Sequence, residues 1–334
     1  MERAAAGAPL KPVDANGLML PLGFTSRVIA RSGADIAGYL WHSAPAGGAC
    51  FPDGTGWLYV SNSDVPLVGG AGAVRFDANG GIADAYPTLS GTDMNAAGGA
   101  TPWRTWLSCE MSDRGQVWET DPWGADKAVA RPAMGVFRHQ ACAVDTDREV
   151  VYLTEGQSDG GFYRFTPTSW PDLTTGVLEV RAGNGWARVP DPLALARPTR
   201  WQIIGATAFD GGADCCYAAG VCWFGTRGDG RAWAYDAVAD TMTERDTERD
   251  VMPTDPLTRT VRGAHEICLV VPNHGVAPFV RLVGHERSEI AGAALSPNGT
   301  RLYFSSPRGA TGSPAAGVTF EVSSPVTLAR SARR

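Results

Sequence analysis

A thiol and a carboxylate stand side by side at Cys109 and Glu110, and a second glutamate, Glu155, closes a similar short apolar run, VYLTEG. A carboxyl group at the end of a strand in a partly dry channel has a raised pKa, which suits it to general acid/base work. The plainer reading of both glutamates is a carboxylate hydrogen-bonded to nearby backbone. His139, just ahead of another apolar run, is either a proton donor and acceptor or a satisfied structural histidine. Cys109 becomes a nucleophile if Arg104 or His139 stabilises its thiolate, and is otherwise an inert thiol. No Ser-His-Asp spacing, phosphate-cradling glycine loop or nucleotide fingerprint accompanies these residues.

Cys109 and Glu110 lie near the end of residues 88–111, TLSGTDMNAAGGATPWRTWLSCEM. Gly98 and Gly99 permit tight turning and close approach, and Pro102 fixes the angle at which the chain runs into the strand. That strand is one copy of a repeat. Residues 58–63 (LYVSNS) precede 73–77 (AVRFD), and 105–110 (TWLSCE) precede 116–121 (QVWETD). Then 151–156 (VYLTEG) precede 162–167 (FYRFTP), and 221–226 (VCWFGT) precede 231–236 (RAWAYD). Residues 267–272 with 278–283 form a fifth, weaker copy, and 302–307 (LYFSSP) with 318–322 a sixth.

Strand pairs recurring every forty to seventy residues or so predict an all-β, six-bladed β-propeller, read here as one domain spanning 1–334. A β-sandwich with similar alternation is the competing fold. Residues 24–31 (FTSRVIAR) have no local partner and are expected to close the ring by joining the last blade. Residues 170–189 and 190–201 read as excursions between the third and fourth blades, one of them a lid over the channel mouth. With the repeated strands innermost, their ends would gather Asn62, Asp64, Cys109, Glu110, Glu155, Arg227, Asn273, Ser306 and Arg308 at that mouth. The charged run 241–250 reads as a solvated outer strand or loop.

Composition agrees with this fold class: 44% hydrophobic residues and 19% charged allow a large core, and 41 glycines with 23 prolines suit many tight turns. A net charge of -6 gives no basic stripe for nucleic acid and no cluster for a membrane surface, so a small molecule is the expected partner. No apolar run spans a bilayer, and the N-terminus lacks the pattern of an export signal, which predicts a cytoplasmic protein or one whose leader has been removed. Seven cysteines, two of them adjacent at Cys215 and Cys216, fit a reduced compartment and show no zinc-type CxxC spacing.

Several phrases carry a resemblance: NGLMLPLGFTSRVIARSG, YVSNSD, NAAGGATPWRTWLSCE, RPAMGVFRHQACAVD, DGGFYRFTP, SEIAGAALSPNGTRLYFSSPRG and GVTFEV. Together they resemble the PhoX-like family of β-propeller alkaline phosphatases over nearly the whole chain. The resemblance implies a six-bladed propeller and, in the phosphatase members, a central iron and calcium site that hydrolyses phosphate monoesters. This chain departs from the family pattern at its metal-binding phrases. Asn-Cys-Ala-Gly-Gly reads Asn95-Ala96-Ala97-Gly98-Gly99, Cys-Glu-Glu reads Cys109-Glu110-Met111, and His-Glu-Ala reads His139-Gln140-Ala141. Thr-Glu-Asp reads Thr154-Glu155-Gly156, and Gly-Gly-Glu-Gly-Cys reads Gly211-Gly212-Ala213-Asp214-Cys215. A later Glu-Asp pair has no counterpart in a fifth blade that reads as shortened, near Val271, Pro272 and Asn273.

Calcium needs six to eight oxygen ligands and ferric iron needs carboxylates for charge, so these losses predict no metal cofactor and no phosphatase activity. Three functions follow. The first is a small-molecule enzyme performing an acid/base cyclisation, rearrangement or elimination, of the kind found in specialised metabolism, through Glu110, Glu155 and His139. Arg104, which replaces a family glycine, Trp103, Asn62, Gln140, Asp214, Arg227, His265 and Arg308 would bind the substrate, and Trp106 and Trp223 would favour a conjugated ligand. The second is a phosphatase with a reduced iron and calcium site held by Cys109, Glu110, Glu155 and Asp214. The third is a non-catalytic binding propeller.

Overall fold

The computed structural model describes residues 9–245, 258–261, 265–271 and 275–324. Their regular structure is strand, with only short 3-10 turns besides, and forms six antiparallel blades of a β-propeller. Among the described residues no helix is long and apolar enough to cross a membrane. The chain divides into two compact units: Met1–Val65, Gly69–Ser90 and Pro253–Arg334 make the first, Pro66–Val68 and Gly91–Met252 the second.

In the second unit the second blade orders its strands as Asn95–Ala100, Trp106–Glu110, Val117–Thr120 and Val129–Ala130. The third has five: His139–Asp145, Val150–Glu155, Phe162–Ser169, Asp172–Ala182 and Gly185–Arg188. The fourth runs Gly212–Ala218, Val221–Thr226, Ala232–Asp236 and Thr241–Arg245. Asn95–Ala100, His139–Asp145 and Gly212–Ala218 pack side by side, which makes them the innermost strands.

This corrects one expectation: the repeated runs such as TWLSCE and VYLTEG are second strands of their blades, not innermost ones. The innermost strands escape pattern reading because they are crowded, and crowding selects small residues over an alternation of large and polar ones. A Cβ on Gly99 would run into the backbone oxygen of Cys142 on the neighbouring innermost strand. Residues 170–189 are likewise no excursion, since most of them form the two outer strands of the third blade. Residues 190–201 do leave the sheets and end in the 3-10 turn Thr199–Trp201. Packing between the blades buries Leu107, Cys109, Phe137, Leu153 and Tyr163 among others, each worth about 1.5–3 kcal/mol when fully buried.

In the first unit the first blade comprises Pro45–Asp53, Gly56–Ser63, Gly69–Phe76 and Ile82–Thr92. The sixth comprises Ala291–Leu295, Arg301–Ser306, Val318–Ser323 and, outermost, Thr25–Arg31. The fifth is completed by Leu18–Met19, a two-residue outer strand paired with Gly275–Leu282. Asn273 and residues 246–250 lie outside the described residues.

Candidate functional site

Three equivalent junctions occur at one end of the blades of the second unit. Asn95 pairs with Glu110, His139 with Glu155, and Gly212 with Thr226, each joining the start of an innermost strand to the end of its neighbour. Immediately beyond each junction the ladder breaks in a bulge. Ala96 and Ala97 oppose Cys109, Gln140 is the extra residue of the third blade, and Ala213 and Asp214 oppose Gly225. A bulge re-aims a side chain out of the regular alternation and is often found beside functional sites. The bulges hold Ala96, Ala97, Gln140, Ala213 and Asp214, with Asp214 the one charged residue among them.

Glu110 is buried and both its oxygens are committed: Oε1 accepts from the backbone N–H of Asp93 at 3.0 Å, Oε2 from that of Gln116 at 2.9 Å. That geometry is a clamp on two loops. His139 is fully buried, stacked on Phe137 at 3.7 Å, and bonded through Nε2 to the Gly135 carbonyl at 3.0 Å. Burial lowers its pKa to about 3, so the ring is neutral, and Nδ1 has no partner among the described residues. The His139 ring is not placed to exchange a proton with solvent near neutral pH.

Glu155 differs. It is fully buried, with Oε2 accepting from Gly161 N–H at 2.8 Å and from the Tyr163 hydroxyl at 2.7 Å. Its Oε1 pairs with Arg200 at 2.7 Å, and Arg200 also bonds Asp159 at 2.8 Å. Burial pushes the Glu155 carboxyl above its usual value, and the bonds from Gly161, Tyr163 and Arg200 only partly offset this. The arginine comes from the 3-10 turn at the end of residues 190–201, where Trp201 braces Asp159 at 2.7 Å. Arg200, Asp159 and Tyr163 were not singled out from the sequence. The only signal was the Pro-, Asp- and Arg-rich character of 190–201.

Gln140 lies beside this pair. Its buried Oε1 has no partner among the described residues and lies 3.6 Å from where a Cβ on Gly156 would stand, while the Met111 side chain lies 3.4 Å from the same point. Gln140, Met111 and Gly156 thus converge on one small volume. Next to it, Arg114, Phe137, Arg138, Leu195, Arg197 and Arg200 border a pocket of about 340 Å³ whose remaining walls are largely apolar.

Other sequence candidates lie elsewhere. Arg104 and Trp103 sit in the turn before Trp106–Glu110, at the opposite end of the blade from Glu110 and roughly 20 Å of strand away. Trp103 donates to Glu119 at 2.7 Å, and Arg104, at φ +70, rests 4.4 Å over Trp123. The positive φ explains why a glycine suits that turn, so Arg104 does not occupy a cation's place. Trp223 packs under Arg245 in the fourth blade, and Trp106 is buried in the second. Cys109 is wholly inside the apolar core. Asp214 is half-buried in its bulge, and Arg227 is exposed.

In the first unit Asn62 is fully buried, and Arg308 pairs with Asp64 at 3.3 Å. Arg308 N–H also donates to Ser288 Oγ, which accepts from Ser306, while His265 is bonded to the Ser288 and His285 carbonyls. The structure therefore links Asp64, His265, Ser306 and Arg308 in one network that also uses His285 and Ser288, which the sequence reading passed over.

Three of the four residues named for a reduced iron and calcium site are already engaged within the protein. Among the described residues no three or more His, Cys, Asp and Glu side chains are gathered to hold a metal. Of Cys109, Glu110, Glu155 and Asp214, the thiol is sunk in hydrocarbon, and both carboxylates of the glutamates are already saturated by protein donors.

The sequence model of the family described as alkaline phosphatase PhoX matches residues 57–117 and 110–176. The structure of PhoX from Pseudomonas fluorescens, solved with the transition-state analogue vanadate, superposes with a TM-score of 0.73 at 14% identity, covering 96% of this chain and 98% of that one. The WD40 repeats of RRP9 superpose with a TM-score of 0.52 at 8% identity over 94% of this chain and 99% of that one. A sequence search of curated proteins finds no match. Over residues 57–176 the chain is similar to the PhoX family, and its described residues have the six-bladed β-propeller fold of that phosphatase.

Proposed function

We propose that this PhoX-like propeller works without the phosphatase metal cluster and serves a small organic molecule at the blade ends of its second unit, with Glu155 as the acid/base group. The carrying observation is the set of bulges: they hold Ala96, Ala97, Gln140, Ala213 and a single carboxylate, Asp214, and Met111 packs beside Gly156 next to Gln140. By the family resemblance these are positions of ligands. One carboxylate among neutral and apolar groups supplies too little negative charge for ferric iron or for calcium's oxygen shell.

Glu155 fits acid/base work because its counter-ion can leave. Arg200 stands on a turn outside the sheets, and an anionic substrate would compete with Glu155 for its guanidinium. Once unpaired, the buried carboxylate is stabilised by less positive charge, and its proton affinity rises further. Tyr163 keeps the carboxyl oriented from the sheet side. A purely binding role is the second reading, favoured by the saturated oxygens of Glu155 in the resting arrangement.

The test is elemental analysis of purified protein together with p-nitrophenyl phosphate hydrolysis at alkaline pH. Sub-stoichiometric iron and calcium with no hydrolysis is the expected result. Bound iron and calcium at whole-number stoichiometry with turnover would overturn the reading.

A further inference from the structure

We infer that the pocket beneath residues 190–201 is a binding site for a monoanionic organic carboxylate with an apolar body. The inference rests on the reading above that this end of the second unit serves an organic molecule, and it specifies the chemical class.

Charge selects the anionic end. Arg138 spends its Nε on Asp113 at 2.7 Å, and Arg200 is neutralised by Glu155 and Asp159. Arg114 and Arg197 have no carboxylate partner among the described residues. Arg114 bonds the Ala194 and Leu193 carbonyls at 2.8 and 3.0 Å, and Arg197 only the Trp201 carbonyl at 3.4 Å. Asp191, the nearest other acid of that loop, turns its oxygens onto the N–H groups of Leu193 and Leu195. Each guanidinium has five donors in a fixed fork, so Arg138, Arg197 and Arg200 all retain unspent N–H groups around one space. Four guanidinium groups stand against Asp113, Glu155, Asp159 and the loop's own Asp191, so the charges balance while N–H donors remain unspent. A singly charged carboxylate disturbs that balance less than a phosphate dianion.

The walls select the rest of the ligand. Phe137, from the bend before His139–Asp145, and Leu195, from the covering loop, both line the space, and Leu195 is 76% exposed. The pocket volume of about 340 Å³ lies at the small end of organic ligand sites. Arg114 bonds only the loop's backbone carbonyls, while Val136 N–H to the Pro192 carbonyl at 2.8 Å and the Arg200 and Trp201 bonds anchor the two ends of the cover.

The test is calorimetric titration of the full chain with 3-phenylpropionate, its neutral amide, 2-phenylethyl phosphate and inorganic phosphate. Saturable binding of the carboxylate is expected, with the amide weaker by about tenfold, the usual worth of a charge-assisted hydrogen bond. Arg197→Gln and Arg138→Gln should each weaken the carboxylate by a similar factor. Arg197 is exposed and makes one long bond, so its variant folds even if the other fails. Equal affinity for the amide, tighter binding of either phosphate probe, no binding of the carboxylate, or indifference to Arg197→Gln would overturn the assignment. Metal content measured on the same sample separates the two readings: iron- and calcium-free protein that ignores 3-phenylpropionate sinks the pocket alone.

Discussion

Two fully buried glutamates, one in each unit, make similar bonds in different settings. Glu321 accepts from the Tyr303 hydroxyl at 2.7 Å and pairs with Arg27 at 2.8 Å and Arg301 at 2.7 Å. Arg27 and Tyr303 are its register partners on the flanking strands, so the sheet ladder itself fixes the cluster. Glu155 also has a tyrosine hydroxyl at 2.7 Å, but its arginine arrives from a loop turn. The first carboxylate cannot lose its partners without breaking a blade. The second depends on an arginine outside the sheets, which is what the proposed ligand would compete for.

Breaking that comparison starts with Glu321→Gln, which leaves two arginines facing a neutral amide. Removing one member of a buried pair costs about 3 kcal/mol, and a fall in the denaturant midpoint of that order is expected. Arg200→Gln should cost less, about 2 kcal/mol, because Glu155 keeps two hydrogen bonds and can take up a proton. It should also speed proteolytic cleavage within 190–201 while Glu321→Gln does not. Equal cleavage rates in the two variants would erase the distinction between ladder and loop.

A smaller effect concerns acid stability. His139 in the second unit is buried and His42 in the first half-buried, and the loss of water around each ring lowers its pKa to about 3. The unfolded chain protonates them near 6.5, so between about pH 6.5 and 3 it binds more protons than the folded chain. Stability is therefore fully present above that window and falls as pH drops through it. His139→Phe, which keeps the stack on Phe137, should flatten part of the slope in denaturant titrations at pH 7, 5 and 4. An unchanged slope would mean that His139 is not neutral in the folded protein.

The smallest effect sharpens the placement of the site. Arg104→Gly relieves a positive φ and removes the contact over Trp123, terms of opposite sign and each about 1 kcal/mol. A midpoint within about 0.5 kcal/mol of the parent, and unchanged affinity for 3-phenylpropionate, are expected. A lost affinity would return Arg104 to the binding site.

Legibility followed the physics of each strand. Runs such as LYVSNS and FYRFTP could be read because large and small side chains alternate on strands packed between neighbouring blades. Pro45–Asp53, Asn95–Ala100 and Gly212–Ala218 could not, because their alanines and glycines answer to crowding rather than to a half-buried face. Glu155, His139 and Gln140 were drawn to one place by the repeat and the neighbouring phrases. Arg104 and Trp103 were misplaced because adjacency in sequence to Glu110 spans the whole length of a strand.

From the residues alone came the strand content and the blade repeat, since each is a matter of local spacing. Tertiary structure decided which strands lie innermost, which carboxylate is held by backbone and sheet alone and which is paired with an arginine from a loop turn. Those outcomes depend on groups distant in the chain: Arg200 reaches Glu155 across 45 residues, and no periodicity within a strand encodes where a loop will set down its charge.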